Sequence, residues 1–209
     1  MSGLRARNKA DRRRRILDAA TRLFREQGYE ATRIEAIAAE ADVSVGTIYN
    51  YYQNKGDILV AIVSMEVDEV LVAGARIIAA PPAHVVRAID RLLMSYIDHS
   101  LVYLSKEMWR QAMAISTQQP NSPFGRTYAA LDKALVRQTC SLIAALQSLG
   151  AVRPDVDSRG VGEMLFNNTN MMFIEFVKDE AMPLVRLRSA IRRQNRTLLS
   201  AIAVPAPAA

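Results

Sequence analysis

The sequence has little of the chemistry on which disulfide-stapled proteins and metalloenzymes depend. Its 209 residues include one cysteine and two histidines. A single cysteine, Cys140, excludes an intramolecular disulfide framework and a cysteine-rich zinc site, and it suits a reducing compartment. His84 and His99 do not have the i, i+3 or i+4 spacing that puts two metal ligands on one helical face. We therefore expect no metal site.

Catalytic motifs are missing as well. The chain has no E-x-x-H di-iron pattern, no glycine-rich phosphate loop before a helix and no nucleophile elbow. The adjacent Asp98 and His99 leave one minor alternative, a ligand-sensing pair. These absences favour a binding protein that is not an enzyme and needs no cofactor.

Long apolar runs are also lacking. No segment approaches the roughly 20 apolar residues that a membrane-spanning helix needs. The N-terminal region is basic and then amphipathic, without the apolar run and small-residue cleavage site of a secretory signal. We expect a cytoplasmic protein with no membrane partner.

Positive charge is concentrated at one end of the chain. The net charge is +6, and Met1–Arg15 contains seven Lys and Arg residues against one Asp. This basic N-terminal arm accounts for the whole excess. It raises the expectation of a polyanionic partner, either nucleic acid or an anionic membrane surface, although a solubilising tail explains the composition equally well.

Apolar residues recur at helical spacing along the whole chain, and no stretch alternates as a strand would. The pattern predicts an all-α protein with a three-helix N-terminal domain, residues 1–56, a C-terminal helical bundle, residues 57–203, and a flexible tail, residues 204–209. About nine helices are expected, at residues 9–27, 32–41, 44–52, 54–79, 83–104, 106–115, 124–149, 158–179 and 183–203.

Three of these helices begin with capping signals. Thr32 and Asn54 each stand three residues before an acidic side chain, which is the spacing of a capping box. Ser44 is an N-cap residue for the third helix, and Pro183 suits the first position of the last helix.

The stretch "ADVSVGTIYNYYQNKGD", residues 41–57, is the most informative part of the chain. Two helices joined by a turn of a few residues form a helix-turn-helix arrangement. Ile48 and Tyr52 share one face of the second helix, so most of its perimeter projects outward. Glycine at position 46 costs about 1 kcal/mol of helix propensity relative to alanine, which is explained if a side chain there would obstruct the close approach of DNA.

The outward side chains divide by chemistry. Val45, Gly46 and Asn50 are placed to face base edges in the major groove of DNA, where an amide pairs with adenine. Thr47 and the hydroxyls of Tyr49 and Tyr51 are donors of the kind that bind phosphates. A double-stranded DNA operator is therefore the expected partner.

The segment "RRRRILDAATRLFREQGYEATRIEAIAAEADVSVGTIYNYYQNKGDIL" resembles the N-terminal DNA-binding domain of the TetR (tetracycline-repressor-like) family of bacterial transcription regulators. The resemblance implies phosphate contacts from Thr32, Thr47, Tyr49, Tyr51 and Lys55, and base-facing positions at Val45, Gly46 and Asn50. One departure is Asp42, where the family usually has glycine. Aspartate tolerates left-handed geometry, so we expect the turn to be kept.

The same resemblance implies a homodimer, formed through the last two helices, and a small-molecule effector enclosed by the C-terminal bundle. Candidate effector-binding residues are the bulky or polar exceptions in the apolar pattern. They are Trp109, Met113, Phe166, Asn170 and Phe173, and for Trp109 and its neighbouring methionines ordinary core packing is the simpler explanation.

The favoured hypothesis is a dimeric repressor that binds a palindromic operator and is released by a partly hydrophobic effector. Two alternatives stay open within DNA binding, an activator and a ligand-independent binder. A third belongs to another class, a helical interaction module that uses the basic arm on an acidic surface.

Overall fold

The computed structural model describes residues 2–204, and within them the all-α prediction is confirmed. Nine helices follow one another in this part of the chain, and the one β-type contact is an isolated antiparallel bridge between Val152 and Ala203. The helices are α1 (Ser2–Gln27), α2 (Ile34–Glu40), α3 (Val45–Tyr49), α4 (Lys55–Ala79), α5 (Val85–His99), α6 (Lys106–Gln118), α7 (Pro123–Ser148), α8 (Ser158–Lys178) and α9 (Leu184–Ile202).

The chain forms two compact units. The first contains the residues up to Met65 together with Tyr103–Ala129, and the second contains Glu66–Val102 together with the residues from Ala130 onward. Helix α6 therefore joins the N-terminal helices. The division at residue 56 into a DNA-binding and an effector domain stays a prediction. Of the predicted tail, Val204 donates its backbone N–H to Ala151 O at 2.9 Å, and the rest lies outside the described residues.

The first unit is built on the apolar face of α1. Ile16, Ala20 and Phe24 are completely buried, and Ile37 of α2 and Ile48 of α3 are equally inaccessible. Burial of such side chains contributes about 1.5–3 kcal/mol each. This packing fixes α2 against α1 and α3 against α2, and exposed residues remain on both short helices.

The predicted capping signals have different outcomes. Ser44 caps α3, since its Oγ accepts from the backbone N–H of Thr47 at 3.1 Å. Asn54 Oδ1 accepts from the N–H of Asp57 at 3.0 Å, and Asp57 Oδ2 accepts from the N–H of Gln53 at 2.8 Å. The prediction of a capping box at Thr32 is wrong. Arg33 occupies the N-cap position of α2, without a side-chain cap.

Helix α3 is shorter than predicted. It ends at Tyr49, and Asn50 is its C-cap residue. The backbone N–H groups of Tyr51 and Tyr52 both donate to Ile48 O at 2.9 Å, so the chain tightens into a turn there. Pro183 is likewise the N-cap residue of α9 and not its first helical residue.

Asp42 forms the turn between α2 and α3 in the left-handed conformation that was expected. Its φ is +53°, the one positive φ of a non-glycine residue among those that the structure describes. Its carboxylate lies 3.4 Å from Arg15 Nη1, but the Asp42 side chain is 99% exposed. Exposed ion pairs contribute little, so the turn depends on the tolerance of the backbone.

We expect Asp42→Gly to be more stable than Asp42→Ala by about 1 kcal/mol, because an L side chain in this conformation is strained and glycine is not. Both variants lose the same contact with Arg15, which makes them a matched pair. Thermal unfolding of the two proteins measures the difference. Equal stabilities would contradict a strained turn.

The second unit holds α5 against α8 and α9. Arg188 Nε donates to Asp98 Oδ1 at 2.5 Å, and Arg192 Nε donates to Asp90 Oδ1 at 2.8 Å, so two ion pairs join α5 to α9. Asn168 Nδ2 of α8 donates to Asn195 Oδ1 of α9 at 3.1 Å.

Asp98 and His99, named above as an alternative ligand-sensing pair, each bind a partner within the fold. His99 Nδ1 lies 2.6 Å from Glu66 Oε1, and its Nε2 lies 3.0 Å from Glu69 Oε2, both on α4. Asp98 instead binds Arg188. His99 is therefore a polar residue satisfied within the fold. Across the described residues, no helix has the length and apolar character to cross a membrane.

Candidate nucleic-acid interface

Helix α3 is held at its ends and by one buried side chain. The turn before it is closed by the N–H of Val43, which donates to Ala38 O at 3.0 Å. Ser44 caps its first turn. Ile48 is the one buried side chain within α3, and Gly46 and Tyr49 are exposed, so one side of the helix is free to meet a partner.

The three predicted base-facing residues lie together on this surface. Gly46 and Asn50 are exposed and Val45 is half-buried. Apart from the two chain neighbours and the backbone of α3 itself, one atom of the described residues, Ser44 Oγ at 3.9 Å, lies within 4 Å of the position that a Cβ on Gly46 would occupy. The space in front of Gly46 is therefore open, and another molecule can approach the backbone closely there.

The four tyrosines of this region differ in their surroundings. Tyr49 is 53% exposed, whereas Tyr52 is buried and its burial raises the pKa of the phenol. Tyr29 is buried beside Phe24, with ring centroids 5.1 Å apart. Tyr51 is half-buried, and its hydroxyl donates to Lys9 O at 3.4 Å. Tyr49 and Tyr51 are thus the two of the four whose side chains are not buried.

Thr32 and Lys55, both predicted to contact phosphates, have their side chains engaged inside the first unit. Thr32 is 1% exposed, and its hydroxyl lies 2.7 Å from Gly28 O, to which it donates. Lys55 Nζ donates to the carbonyls of Tyr29, Glu30 and Thr32 at 2.6, 3.0 and 3.2 Å. These contacts fix the loop before α2 to the start of α4, a role that sequence reasoning missed.

Thr47, the remaining member of the predicted phosphate set, is half-buried at the start of α3. Its Oγ1 lies 2.9 Å from Ser44 Oγ, and either hydroxyl can be the donor of the hydrogen bond between them. The pair places two hydroxyls beside the first backbone N–H groups of α3, where an anion is favoured.

The basic N-terminal arm is helical. Helix α1 begins at Ser2, and the side chains from Ala6 to Arg15 are exposed. Lys9 Nζ lies 6.0 Å from the ring centroid of Tyr51, which brings this segment next to the surface of α3. Sequence reasoning treated the arm and the tyrosines separately, and only the fold makes them neighbours.

The predicted effector-binding residues belong to different units. Trp109, which is buried, and Met113, which is half-buried, lie on α6 in the first unit. Phe166 and Phe173 are buried on α8 in the second unit, and Asn170 is half-buried there. Thr169, between the two phenylalanines, is 4% exposed, and its hydroxyl has no hydrogen-bond partner in the described part of the chain. A buried orphan hydroxyl of this kind needs explanation.

Comparison with known proteins places this interface in a family. Residues 16–62 match the model described as bacterial regulatory proteins, tetR family. The HTH-type transcriptional repressor KstR of Rhodococcus jostii (strain RHA1) is 43% identical over 60 residues, 29% of this chain and 28% of the relative. The HTH-type transcriptional regulator HbdR of Aromatoleum sp. (strain CIB) is 57% identical over 49 residues, 23% of this chain and 21% of the relative.

The matched region thus spans less than a third of the length of these curated relatives. Similarity to a solved structure is longer. Thermus thermophilus FadR, a TetR-family transcriptional repressor solved in complex with lauroyl-CoA, aligns with a TM-score of 0.64 at 23% identity, over 94% of this chain and 98% of that one. At this identity the similarity establishes the fold.

Proposed function

Because the chain belongs, through its N-terminal domain, to the tetR family of bacterial regulatory proteins, we propose that it is a dimeric transcriptional repressor in the cytoplasm. It binds a palindromic DNA operator and releases it when a small, partly hydrophobic effector binds. The observation that carries the proposal is α3, a five-residue helix with one buried side chain. Such a helix contributes little to a core, and its exposed surface fits the major groove.

In the proposed complex Val45, Gly46 and Asn50 face base edges, and Thr47, Tyr49 and Tyr51 hold the phosphates. The helical basic arm adds positive charge beside Tyr51, since Lys9 lies against that ring. Basic side chains near the backbone of DNA release counterions and make binding depend on salt. Thr32 and Lys55 act chiefly by holding the loop before α2. The Thr32 hydroxyl and the Lys55 ammonium already donate to backbone carbonyls of the chain, so a phosphate contact from either would use a group that is also bound there.

A homodimer is part of the proposal because one short recognition helix contacts only a few base pairs, and a symmetric dimer reads two half-sites. Exposed apolar side chains on the last two helices support it. Met164 and Met171 of α8 are 59% and 58% exposed and stand seven residues apart, and Val185 of α9 is 62% exposed. Large apolar side chains that are exposed together commonly mark an interface.

The effector proposal is supported by the buried residues of α8 and by a relative. Thermus thermophilus FadR binds lauroyl-CoA, which is a partly hydrophobic molecule. In this chain the orphan hydroxyl of Thr169, between Phe166 and Phe173, is available to an effector that brings a hydrogen-bond acceptor. Trp109 and Met113, on α6, stay predicted contacts. KstR and HbdR are named as transcriptional regulators, and we propose a binding function, not catalysis, here too.

The test begins with selection of bound duplexes from a random pool, followed by footprinting of the selected site. We expect two protected half-sites related by an inverted repeat, and a solution mass by light scattering of twice the 23.2 kDa chain. A panel of acyl thioesters and other amphipathic molecules then identifies a compound that releases the duplex. Uniform coating of DNA at all sequences, or a monomer, would contradict the proposal.

We expect Asn50→Ala to cost about 1–3 kcal/mol on the selected site and much less on a scrambled duplex, because a lost base contact affects only the cognate sequence. Asn50 is exposed and ends α3, so alanine there leaves the fold intact. Tyr49→Phe is the matched comparison. A lost phosphate contact weakens binding to both duplexes equally. Binding isotherms on the two duplexes measure both effects. If Asn50→Ala lost the same affinity on the selected and the scrambled duplex, Asn50 would not face a base.

A further inference from the structure

The second unit contains a cleft between α5 and α9 that the proposed function does not use. Its volume is about 210 Å³. Leu93 and Met94 of α5 and Ile191 and Leu199 of α9 line it, and all four are at least nine-tenths buried. A water molecule takes about 30 Å³ of liquid, so the space suits an apolar group of roughly seven non-hydrogen atoms.

The polar lining of the cleft is mainly positive. Arg87 of α5 and Arg192 and Arg196 of α9 contribute three guanidinium groups, and Asp90 contributes one carboxylate. Arg192 Nε donates to Asp90 Oδ1 at 2.8 Å, so that pair is largely neutralised. The other two guanidinium groups carry the excess charge. Both Arg87 and Arg196 are exposed and can turn toward an anion at the entrance.

A buried amide supplies a further donor to the cleft. Asn195 is 6% exposed and lies among the lining residues. Its Oδ1 accepts from Asn168 Nδ2 at 3.1 Å, and its own Nδ2 donates to no group in residues 2–204. This amide N–H is therefore left as a donor beside the cleft, and an acceptor oxygen within the cleft can bind it.

From this combination we propose that the α5–α9 cleft binds a small amphipathic carboxylate. The apolar group packs on Leu93 and Ile191, and the carboxylate accepts from the Asn195 amide and pairs with Arg87 and Arg196. A neutral molecule of the same size can accept a hydrogen bond from the Asn195 amide but forms no ion pair with the arginines. A cation is repelled by the excess positive charge. The site is separate from the recognition surface of α3, so its failure would leave DNA binding untouched.

Asp90 tunes the affinity of this site. Its carboxylate holds Arg192 and repels an entering anion across the same cleft. Removing the negative charge while keeping the side chain's shape, as in Asp90→Asn, frees Arg192 and raises the excess positive charge. Anion affinity should therefore rise, which is an outcome that simple damage to the fold does not produce.

The experiment is calorimetric titration of the full-length chain with octanoate, octan-1-ol and octylammonium, which share one apolar group and differ in charge. We expect one octanoate per chain, with binding at least tenfold tighter than that of either other compound. Arg87→Gln combined with Arg196→Gln should weaken octanoate binding at least tenfold, and Asp90→Asn should tighten it severalfold. Arg193→Gln, an exposed arginine of α9 that does not line the cleft, is the matched control and should bind as the unmodified chain does.

Several results would overturn the proposal. Equal binding of octanoate and octan-1-ol would show that charge plays no part. Octanoate binding that survives loss of both arginines would place the site elsewhere in the chain. Circular dichroism on each variant checks that these surface replacements leave the helices intact, and absence of octanoate binding to the folded, unmodified chain at millimolar concentration would also overturn it.

Discussion

A valine at Gly46 is expected to leave the chain folded and to weaken binding to the selected operator roughly a hundredfold, about 2.8 kcal/mol. The folded chain tolerates the side chain because the added Cβ has open space: beyond α3's own backbone and the two chain neighbours, the described residues place one atom, Ser44 Oγ at 3.9 Å, within 4 Å of it. Helix propensity favours valine slightly over glycine. In the proposed complex, the DNA backbone or a base edge occupies the same open space, so the two branches of valine would collide with it.

Gly46→Ala is the graded control for this prediction. It adds one methyl group at the same place and should lose less affinity than valine, because an alanine side chain extends less far toward the duplex. Thermal unfolding should give the same midpoint for both variants and for the unmodified chain within a few degrees. Operator isotherms for Gly46→Val that coincide with those of the unmodified chain would mean that α3 does not lie in the groove.

Much of the recognition region could be predicted because its determinants are local. The capping of α3 depends on Ser44 and on an N–H three residues later, and such short-range pairs follow from residue type and spacing. The left-handed turn at Asp42 is similarly local. The burial of Ile48 follows from the face that it shares with Tyr52 at i, i+4, since both side chains are buried.

Of the missed features, one is a local contact that replaces the predicted cap, and another joins distant parts of the chain. Thr32 looks like an N-cap in the sequence, but Gly28 adopts a φ of +85° and its carbonyl receives the Thr32 hydroxyl. Helix α6 belongs to the first unit. A hydrogen bond joins it to the N-terminal helices there, since Glu107 Oε1 accepts from the backbone N–H of Tyr29 at 3.1 Å. No periodicity in the sequence encodes a pairing across 78 positions.

For the candidate effector residues, the sequence pattern likewise predicts local burial but not which residues the fold brings together. Bulky residues in an apolar pattern identify buried positions correctly, as Trp109, Phe166 and Phe173 are all buried. The pattern does not indicate which of them share a unit, because that depends on how α6 and α8 are placed by the rest of the fold. The sequence also singled out the polar run on α8 without indicating that Asn168 pairs with Asn195.

Replacing Lys55 by alanine is expected to lower the free energy of unfolding by about 3 kcal/mol, since hydrogen bonds from a charged group contribute about 1.5–3 kcal/mol each and three share one ammonium. The three acceptors are the carbonyls of Tyr29, Glu30 and Thr32. The ammonium also lies 4.4 Å from the centroid of the Tyr29 ring, in cation–π range. For a chain of this length the midpoint of thermal unfolding should fall by roughly 6–12 °C.

Lys178→Ala is the matched control, because Lys178 is exposed and Glu175, one turn away, is its one ion-pair partner in the part of the chain that the structure describes. Its loss should therefore cost less than about 0.5 kcal/mol. Operator binding by Lys55→Ala, measured below its unfolding midpoint at several salt concentrations, separates the two roles of Lys55. A salt slope reduced by about 0.9 indicates one lost phosphate contact. An unchanged slope with lower stability assigns Lys55 wholly to the loop before α2. An unfolding midpoint equal to that of the unmodified chain would contradict the anchoring role, because three carbonyls cannot lose a charged donor without cost.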